Sequence, residues 1–494
     1  MLQKIKITNK RFLFLSTLVL VVISNVYVLY DFAISSYPVL EGDAACFMPC
    51  TVNYASGQGL INTIWHPKHV YNPAHPEWLT WHGFLFSMLS GTFAPSPSYS
   101  GARISMFYMQ LIILLSMFFI MIKLSWGKFN FKVWVLIVAA LFTVESYCVQ
   151  TGRPELLVSM WISAGILLGL YLPKYKWIIA GFVLGLTAIT SPIPALFLGL
   201  ICVIYLSKSN NWRSLIRILL QVGSACLSAI IVGFAFYPYS FFAWLQGVRL
   251  HSAVAFGSWG FDQLFFYNYF WIKATNSTFY GVLFLTTCGF FFVYWKNLMR
   301  IQKLISAVFV LVLALLFWKT VGSAPERIYN ITALTTLFVV FVFYQSISAN
   351  KTKYDLKFRI ATAVFLLCSL AFVRTVFLFP SYKNHGLSYS DASIQFNSFL
   401  NDLENKNVKI GVTSGLFTLI PSKSNIEIIR NESKIADKFD YVVIQQVYSE
   451  KISPNPIPNF QLISNNFSPH TVEIQGKRIS NVYIGYNYAI YKRQ

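Results

Sequence analysis

Charge is what this chain has least of. Only 12% of its residues are Asp, Glu, Lys or Arg, while 56% are hydrophobic; soluble proteins carry about a quarter charged. A cytosolic globule of 494 residues could not cover its cores with so little charge, so the surplus apolar area must face lipid. Acid is scarcer still, with 18 Asp and Glu against 39 Lys and Arg, a net charge of +21. The basic residues sit in short clusters between long apolar runs rather than along one groove, which excludes a nucleic-acid-binding surface and fits the loops of a polytopic membrane protein. Seven scattered cysteines exclude a disulfide scaffold. Nothing resembles a Gly-rich phosphate loop or a soluble nucleotide-binding domain.

What is present is a series of apolar runs near the roughly 20 residues that span a bilayer core. The first, Phe12 to Tyr30, follows Lys4, Lys6, Lys10 and Arg11 and lacks a small-residue cleavage site, so it reads as a retained anchor. Others lie at 103–122, 133–149, 156–172, 177–206, 216–236, 278–295, 304–318, 328–346 and 360–379. The 177–206 run is broken by Ser191-Pro192-Ile193-Pro194 and is split into a hairpin, giving eleven predicted spans. With that parity the basic groups at Lys123/Lys128/Lys132, Lys174/Lys176, Lys208/Arg213, Lys296/Arg300/Lys303 and Lys351/Lys353/Lys357/Arg359 share the side of the N-terminus, which is the cytoplasmic side. The opposite side receives a long first loop at 35–102, Gly152-Arg153-Pro154-Glu155, the loops near 237–277 and 319–327, and everything after 380.

The first 380 residues hold nine acids: Asp31, Glu41, Asp43, Glu77, Glu145, Glu155, Asp262, Glu326 and Asp355. Eight of them map to the outer side or its edge, and since acidic residues contribute little to topology, the bias points to chemistry on that face. In the first outer loop the spacing predicts one helix from Asp43 to Ser56, with Asp43 as N-cap and Gly57 and Gly59 as the stop. Asp43, Phe47 or Cys46, Cys50 and Tyr54 then share a face. Asp43 is either a capping residue alone or a reactive carboxylate at the membrane surface. Cys46 and Cys50, four residues apart, read as packing residues.

Downstream, Trp65-His66-Pro67-Lys68-His69, Tyr71 to Trp78 and Trp81-His82 hold four of the seven histidines. His66 with His69, or His75 with Glu77, is conceivable as a metal pair, but the spacing matches no zinc pattern and no metal or other cofactor is predicted. Aromatics such as Trp78 suit stacking against sugar rings. Outer-face cations are Arg153 beside Glu155, Lys319 and Arg327 before Tyr329, and Arg249 after Tyr237-Pro238-Tyr239. One such residue alone usually reaches for lipid headgroups; several converging with a carboxylate suit a phosphate on a lipid. After Pro380 the composition becomes that of a soluble fold: a helix from Asp391 to Leu403 and strands at 408–412, 441–444 and 488–491 predict a small α/β domain at 381–494, behind a membrane domain at 1–380.

The order of parts resembles the GT-C class of membrane glycosyltransferases, especially bacterial relatives of the protein O-mannosyltransferases and the aminoarabinose transferase acting on lipid A. The matching pieces are the basic N-terminus and first span, Glu41-Gly42-Asp43, Tyr54-Ala55-Ser56-Gly57-Gln58-Gly59-Leu60, Ala102-Arg103-Ile104, Thr151-Gly152-Arg153-Pro154-Glu155, Leu186 to Pro192, and the outer tail. Many members carry an Asp-Glu pair where this chain has Asp43-Ala44. Size and tail also look similar to enzymes that add a glucosyl branch to O-antigen of lipopolysaccharide in Gram-negative bacteria. The resemblance implies a multi-pass protein of the bacterial inner membrane, N-terminus cytoplasmic and C-terminal domain periplasmic. Its expected reaction is inverting transfer of a sugar from a polyprenyl-phosphate donor to a hydroxyl on a glycan or lipid-linked acceptor. Asp43 is then the base; Arg153, Lys319 and Arg327 take the donor phosphate; Glu41, Tyr54, His66, His75, Trp78, Glu155, Arg249 and Tyr329 line the substrates. A transporter or flippase of lipid-linked sugars is the competing class, disfavoured by the missing internal repeat and the lack of midplane charge.

Overall fold

The structure is a computed structural model. It describes residues 9–36, 42–64, 75, 77–80, 83–126, 128, 130–147, 152–206, 212–256, 334–348, 356–370, 388–403, 408–420, 426–429, 438–445, 459–465, 472–474, 477–479, 486 and 488–494, with 286, 289 and 303 as single positions. The described part is mostly helical and ends in a small sheet.

Where the residues are described, the apolar runs are helices. α1 spans Asn9–Ile34; its buried residues Leu18, Val22, Leu29, Phe32 and Ala33 recur at helical spacing, while Phe12, Leu20, Ile23 and Tyr27 stand exposed on the other side. α2 (Met48–Ala55) and α3 (Phe84–Thr92) are short. The longer α4 (Tyr99–Ser125) opens at Ser98, whose hydroxyl accepts the Gly101 N–H at 3.0 Å. α5 (Phe131–Tyr147) and α6 (Glu155–Tyr171) follow, and Glu155 places an acid in the first turn of α6, where the helix dipole favours it. α7 (Lys176–Thr190) and α8 (Pro192–Leu206) are separated at extended Ser191, so the predicted break before Pro192 is present. α9 (Trp212–Ala235), α10 (Phe241–Phe256) and α11 (Thr335–Ser348) come next, and 356–370 is helical.

Phe12–Ile34, Tyr99–Ser125 and Trp212–Ala235 are long and apolar enough to cross a membrane; Phe131–Val144, Glu155–Tyr171 and Thr335–Ile347 are apolar but shorter. The 304–318 run, and all but two positions of 278–295, lie outside the described residues. α4 and α6 pack side by side, and at their C-terminal ends the Lys123 ammonium lies 5.1 Å from the Tyr171 ring. At the same end Lys128 donates to the Ile347 carbonyl at 2.8 Å. Lys123 in the last turn of α4 and Lys128 just after it thus lie at the end where α6 finishes, and Glu155 opens α6 at the other end.

The tail holds α12 (Tyr389–Asn401), capped by the Ser388 hydroxyl accepting the Asp391 N–H, and strands β1 (Ile410–Thr413), β2 (Ile426–Ile429), β3 (Tyr441–Gln445), β4 (Phe460–Asn465), β5 (Val472–Ile474), β6 (Lys477–Ile479) and β7 (Tyr488–Arg493). The main sheet runs β2-β1-β3-β7-β4, with β1 parallel to β2 and β3, and β7 antiparallel to β3 and β4. β5 and β6 form a separate antiparallel pair. Side chains alternate along each strand: Tyr441, Val443, Tyr488 and Ile490 join the core shared with the helices, while Val442, Ile444, Ala489 and Tyr491 form a second cluster on the far face. α12 covers the first face through Phe396 against Tyr488 and Phe399 against Tyr441. One apolar core thus runs from the helices into the sheet.

Candidate functional site

The expected single helix from Asp43 to Ser56 is two elements. A 3-10 helix spans Gly42–Cys46, and α2 begins only at Met48. Pro49 is the cause: it lacks an N–H and fits the first turn of a helix, so α2 starts around it and Phe47 becomes the N-cap residue without any side-chain cap. Asp43 is therefore not the cap of α2. The predicted stop at Gly57 is present as a Schellman motif, with Gly57 N–H on the Tyr54 carbonyl and Gln58 N–H on that of Asn53.

Two close approaches fix the Asp43 turn. Gly152 has φ +70° and packs so tightly on the turn that a Cβ there would lie 2.7 Å from the Ala44 Cβ and 3.0 Å from the Met48 Cγ. Gly83, at φ +89°, faces Phe47 and Pro154 in the same way, its Cβ position 2.5 Å from the Phe47 ring and 3.3 Å from the Pro154 ring. Only glycine tolerates both the dihedral and the contact. The Phe47 carbonyl also accepts the Thr51 hydroxyl at 3.0 Å and the Ser87 hydroxyl at 3.1 Å. The segment bearing Asp43, the start of α3 and the Gly152-Arg153-Pro154-Glu155 loop consequently meet at one place.

Arg153 and Glu155 are 7% and 3% exposed. The guanidinium donates from Nε to Glu155 Oε2 at 3.2 Å and from an Nη to Oε1 at 3.4 Å, a two-pronged pairing that fixes its plane. A buried cation paired in this way, next to a carboxylate-bearing turn, offers an anion a preoriented partner. The tail closes on the same turn, because the 3-10 helix Ser414–Leu419 packs on Gly42–Cys46.

The remainder of the first loop is built from rings. Ile61 pairs with Trp78 as an antiparallel bridge, with Asn62 N–H on the Glu77 carbonyl at 2.7 Å and Leu79 N–H on that of Leu60 at 3.0 Å. Trp78 is sandwiched, its ring 3.6 Å from His75 and 4.3 Å from Tyr239, both nearly parallel. The expected sugar platform at Trp78 is thus already occupied on both faces by protein rings, and what it offers is an edge. Tyr237 and Tyr239 donate to the Leu79 and Leu60 carbonyls at 2.9 Å each, and burial raises both phenols above their ordinary pKa, so they remain donors. His75 Nδ1 lies 3.8 Å from Glu77 Oε1.

Of the other expected residues, Tyr54 is half-buried and sets its ring against Gly91 of α3. Arg249 is exposed on α10, which meets the ring-built strand where Gly247 touches the Thr80 carbonyl. Glu41, His66, Lys319, Arg327 and Tyr329 lie outside the described residues, as does the Asp43 side chain. Cys46 and Cys50 are buried free thiols; Cys50 Sγ meets the Cys46 carbonyl at 3.6 Å, and burial raises the Cys50 pKa. Among the described residues no group of three or more His, Cys, Asp or Glu could hold a metal.

Residues the sequence reading missed as participants are Tyr239, Ser36, Tyr486 and the 414–419 turn; Arg103 was noted only within a motif. Arg103 had a readable signal, a cation near the start of an apolar run. Nothing in the linear order pointed to Tyr486. No family model matches the chain, and no curated protein or solved structure matches it.

Proposed function

We propose that the chain is a GT-C-type membrane glycosyltransferase that moves a sugar from a polyprenyl-phosphate donor to an acceptor hydroxyl at the outer face of a bacterial inner membrane. The observation that carries this reading is the contact of Gly152 with Ala44 and Met48, which brings the buried Arg153–Glu155 pair up against the turn of Asp43. Eleven spans, a cytoplasmic N-terminus and an outer tail belong to the same proposal.

A donor on a polyprenyl chain cannot leave the bilayer, so the reacting phosphate stays at headgroup depth and the site must stand there. Asp43 takes the proton of the acceptor hydroxyl as its oxygen bonds to the anomeric carbon. The bond from that carbon to the phosphate oxygen breaks, and the polyprenyl phosphate departs with the electron pair. Arg153, held in plane by Glu155, meets the charge growing on the phosphate; Lys319 and Arg327 share that role. A single displacement inverts the anomeric centre. The acceptor is a hydroxyl of a glycan or glycolipid such as lipopolysaccharide O-antigen, and the edges of Trp78 and His75 with Tyr54, Glu41, His66, Arg249 and Tyr329 are assigned to substrate contact.

The test is purified protein in nanodiscs with a panel of polyprenyl-phosphate sugars and crude envelope acceptor, reading release of free polyprenyl phosphate. One donor is expected to be consumed, with the product anomer inverted. No consumption of any donor overturns the reading, and movement of intact donor between leaflets without consumption replaces it with a flippase.

A further inference from the structure

Arg103, on the first turns of α4, is 1% exposed. Its guanidinium is always charged and expensive to bury, so its partners carry information. One Nη donates to the Tyr486 hydroxyl at 3.4 Å, and that hydroxyl donates onward to the Ser36 carbonyl at 2.8 Å. Tyr486 is fully buried, 383 positions from Arg103 along the chain, just before β7. Ser36 is where the chain leaves α1 toward Asp43, and it adopts φ +54°, a left-handed conformation that a residue with a Cβ holds only when its surroundings over-determine it. Among the described residues, those surroundings include Tyr486 and the Ser100 hydroxyl, 3.4 Å from that of Ser36.

The tail also grips the other end of this segment. Its 3-10 helix Ser414–Leu419 lies on Gly42–Cys46, with Leu416 and Phe417 fully buried. The Thr418 carbonyl accepts the Tyr389 hydroxyl at 3.1 Å, and the Tyr389 ring packs edge-on against Tyr486 at 5.2 Å. Phe417 meets Tyr99, four residues before Arg103, in a T-shaped contact at 5.5 Å.

We propose that Arg103 and Tyr486 form a latch that sets the position of the Asp43 turn, making the C-terminal sheet a part of the catalytic unit. The inference rests on the function proposed above: Arg103 and Tyr486 are positioning residues, and they act through Ser36 on the turn that carries the base. A tail that merely capped the site would need no buried cation joined to the exit of α1.

The experiment is hydrogen exchange by mass spectrometry on the full-length protein in nanodiscs, paired with the transfer assay. Tyr486→Phe keeps the ring and removes the hydroxyl. Amides of 42–46 and 414–419 are expected to exchange roughly fivefold faster, the effect of losing one buried hydrogen bond, while β1, β3 and β7 keep their protection. In the transfer assay kcat falls with donor KM unchanged. Arg103→Gln, which removes the guanidinium, is expected to do the same, and the double variant to add little because both act on one relay. Unchanged exchange at 42–46 overturns the latch. Loosening that spreads through β1, β3 and β7 also overturns it, since Tyr486 then only stabilises the sheet. Faster local exchange with unchanged kcat overturns the positioning role. If the unaltered protein transfers no sugar, the exchange result still decides whether the latch exists, and the function falls separately.

Discussion

The two halves of the segment between α1 and α3 are held by different forces. Gly42–Ala55 is gripped by close contacts: two glycines pressed against its Ala44, Met48 and Phe47 side chains, two hydroxyls on the Phe47 carbonyl and a 3-10 helix of the tail laid over it. The described residues of Leu60–Leu79 are held by a ring stack at the rim, by two phenols on backbone carbonyls and by the Asn53 and Asn62 amides that tie them to the first half, and His75 is exposed. A glycine backbone pressed this closely on its neighbours leaves little room for a second arrangement, whereas stacked rings can slide or part at modest cost. Under the proposed function the first half suits a group that must not move, and the second a surface that adapts to an acceptor.

The sharpest way to break that contrast is Asp43→Asn, which keeps size and polarity and removes basicity. Transfer is expected to fall by about 10² to 10⁴ in kcat with both KM values unchanged, the range of a lost general base; wild-type turnover in the donor-release assay would take the chemistry away from the buried half. Gly152→Ala comes next. A Cβ at φ +70° and 2.7 Å from the Ala44 Cβ must push the turn away, and a displacement near 1 Å can cost about a hundredfold in kcat. Melting temperature and kcat measured together separate a displaced turn from an unfolded one. On the adaptable half, Trp78→Ala removes both ring contacts. Its acceptor KM is expected to rise about fivefold with kcat nearly constant, and stability to fall by about 1 to 3 kcal/mol, two stacking contacts of 0.5–1.5 kcal/mol each. A collapse of kcat instead would erase the distinction between the halves.

The smallest effect concerns pH. Burial pushes the Tyr389 phenol up from 10.0 to about 12, with Tyr486 adding to the rise and Arg103 opposing it; burial also raises Tyr486. A phenol whose pKa is raised on folding binds its proton more tightly in the folded state. Its contribution is therefore full below pH 10 and is lost as pH climbs from 10 through about 12. Docking of the tail is expected to be flat with pH through neutrality and to weaken above 10, read as faster exchange at 414–419.

Much of the scaffold was legible because apolar runs of span length have few alternatives. α1, α4 and α9 follow their runs, and the break before Pro192 follows from proline geometry. β1, β3 and β7 were also readable as short apolar strands. β2 and β4 were not, since Ile426–Ile429 is only four residues and Phe460–Asn465 is half polar, and both are strands because they pair with β1 and β7. The helix expected across 43–56 failed on one overlooked residue, Pro49, whose missing N–H decides where α2 begins. Trp78 was recognised as a ring of interest, but not that His75 and Tyr239 would cover its faces, because Tyr239 arrives from beyond α9.

The linear order by itself determined that the chain forms apolar helices, three of the described ones long enough to cross a membrane, and that a small α/β tail follows them. Periodicity, composition and proline act over a few residues, and for those the chain needs no partner. Tertiary structure alone decided that Gly152 would seat against Ala44, that Arg153 would pair with Glu155, and that Tyr486 would reach Ser36 across most of the chain. Those contacts come from closing one core over helices and sheet together, and the energy of a closed core belongs to all its walls at once.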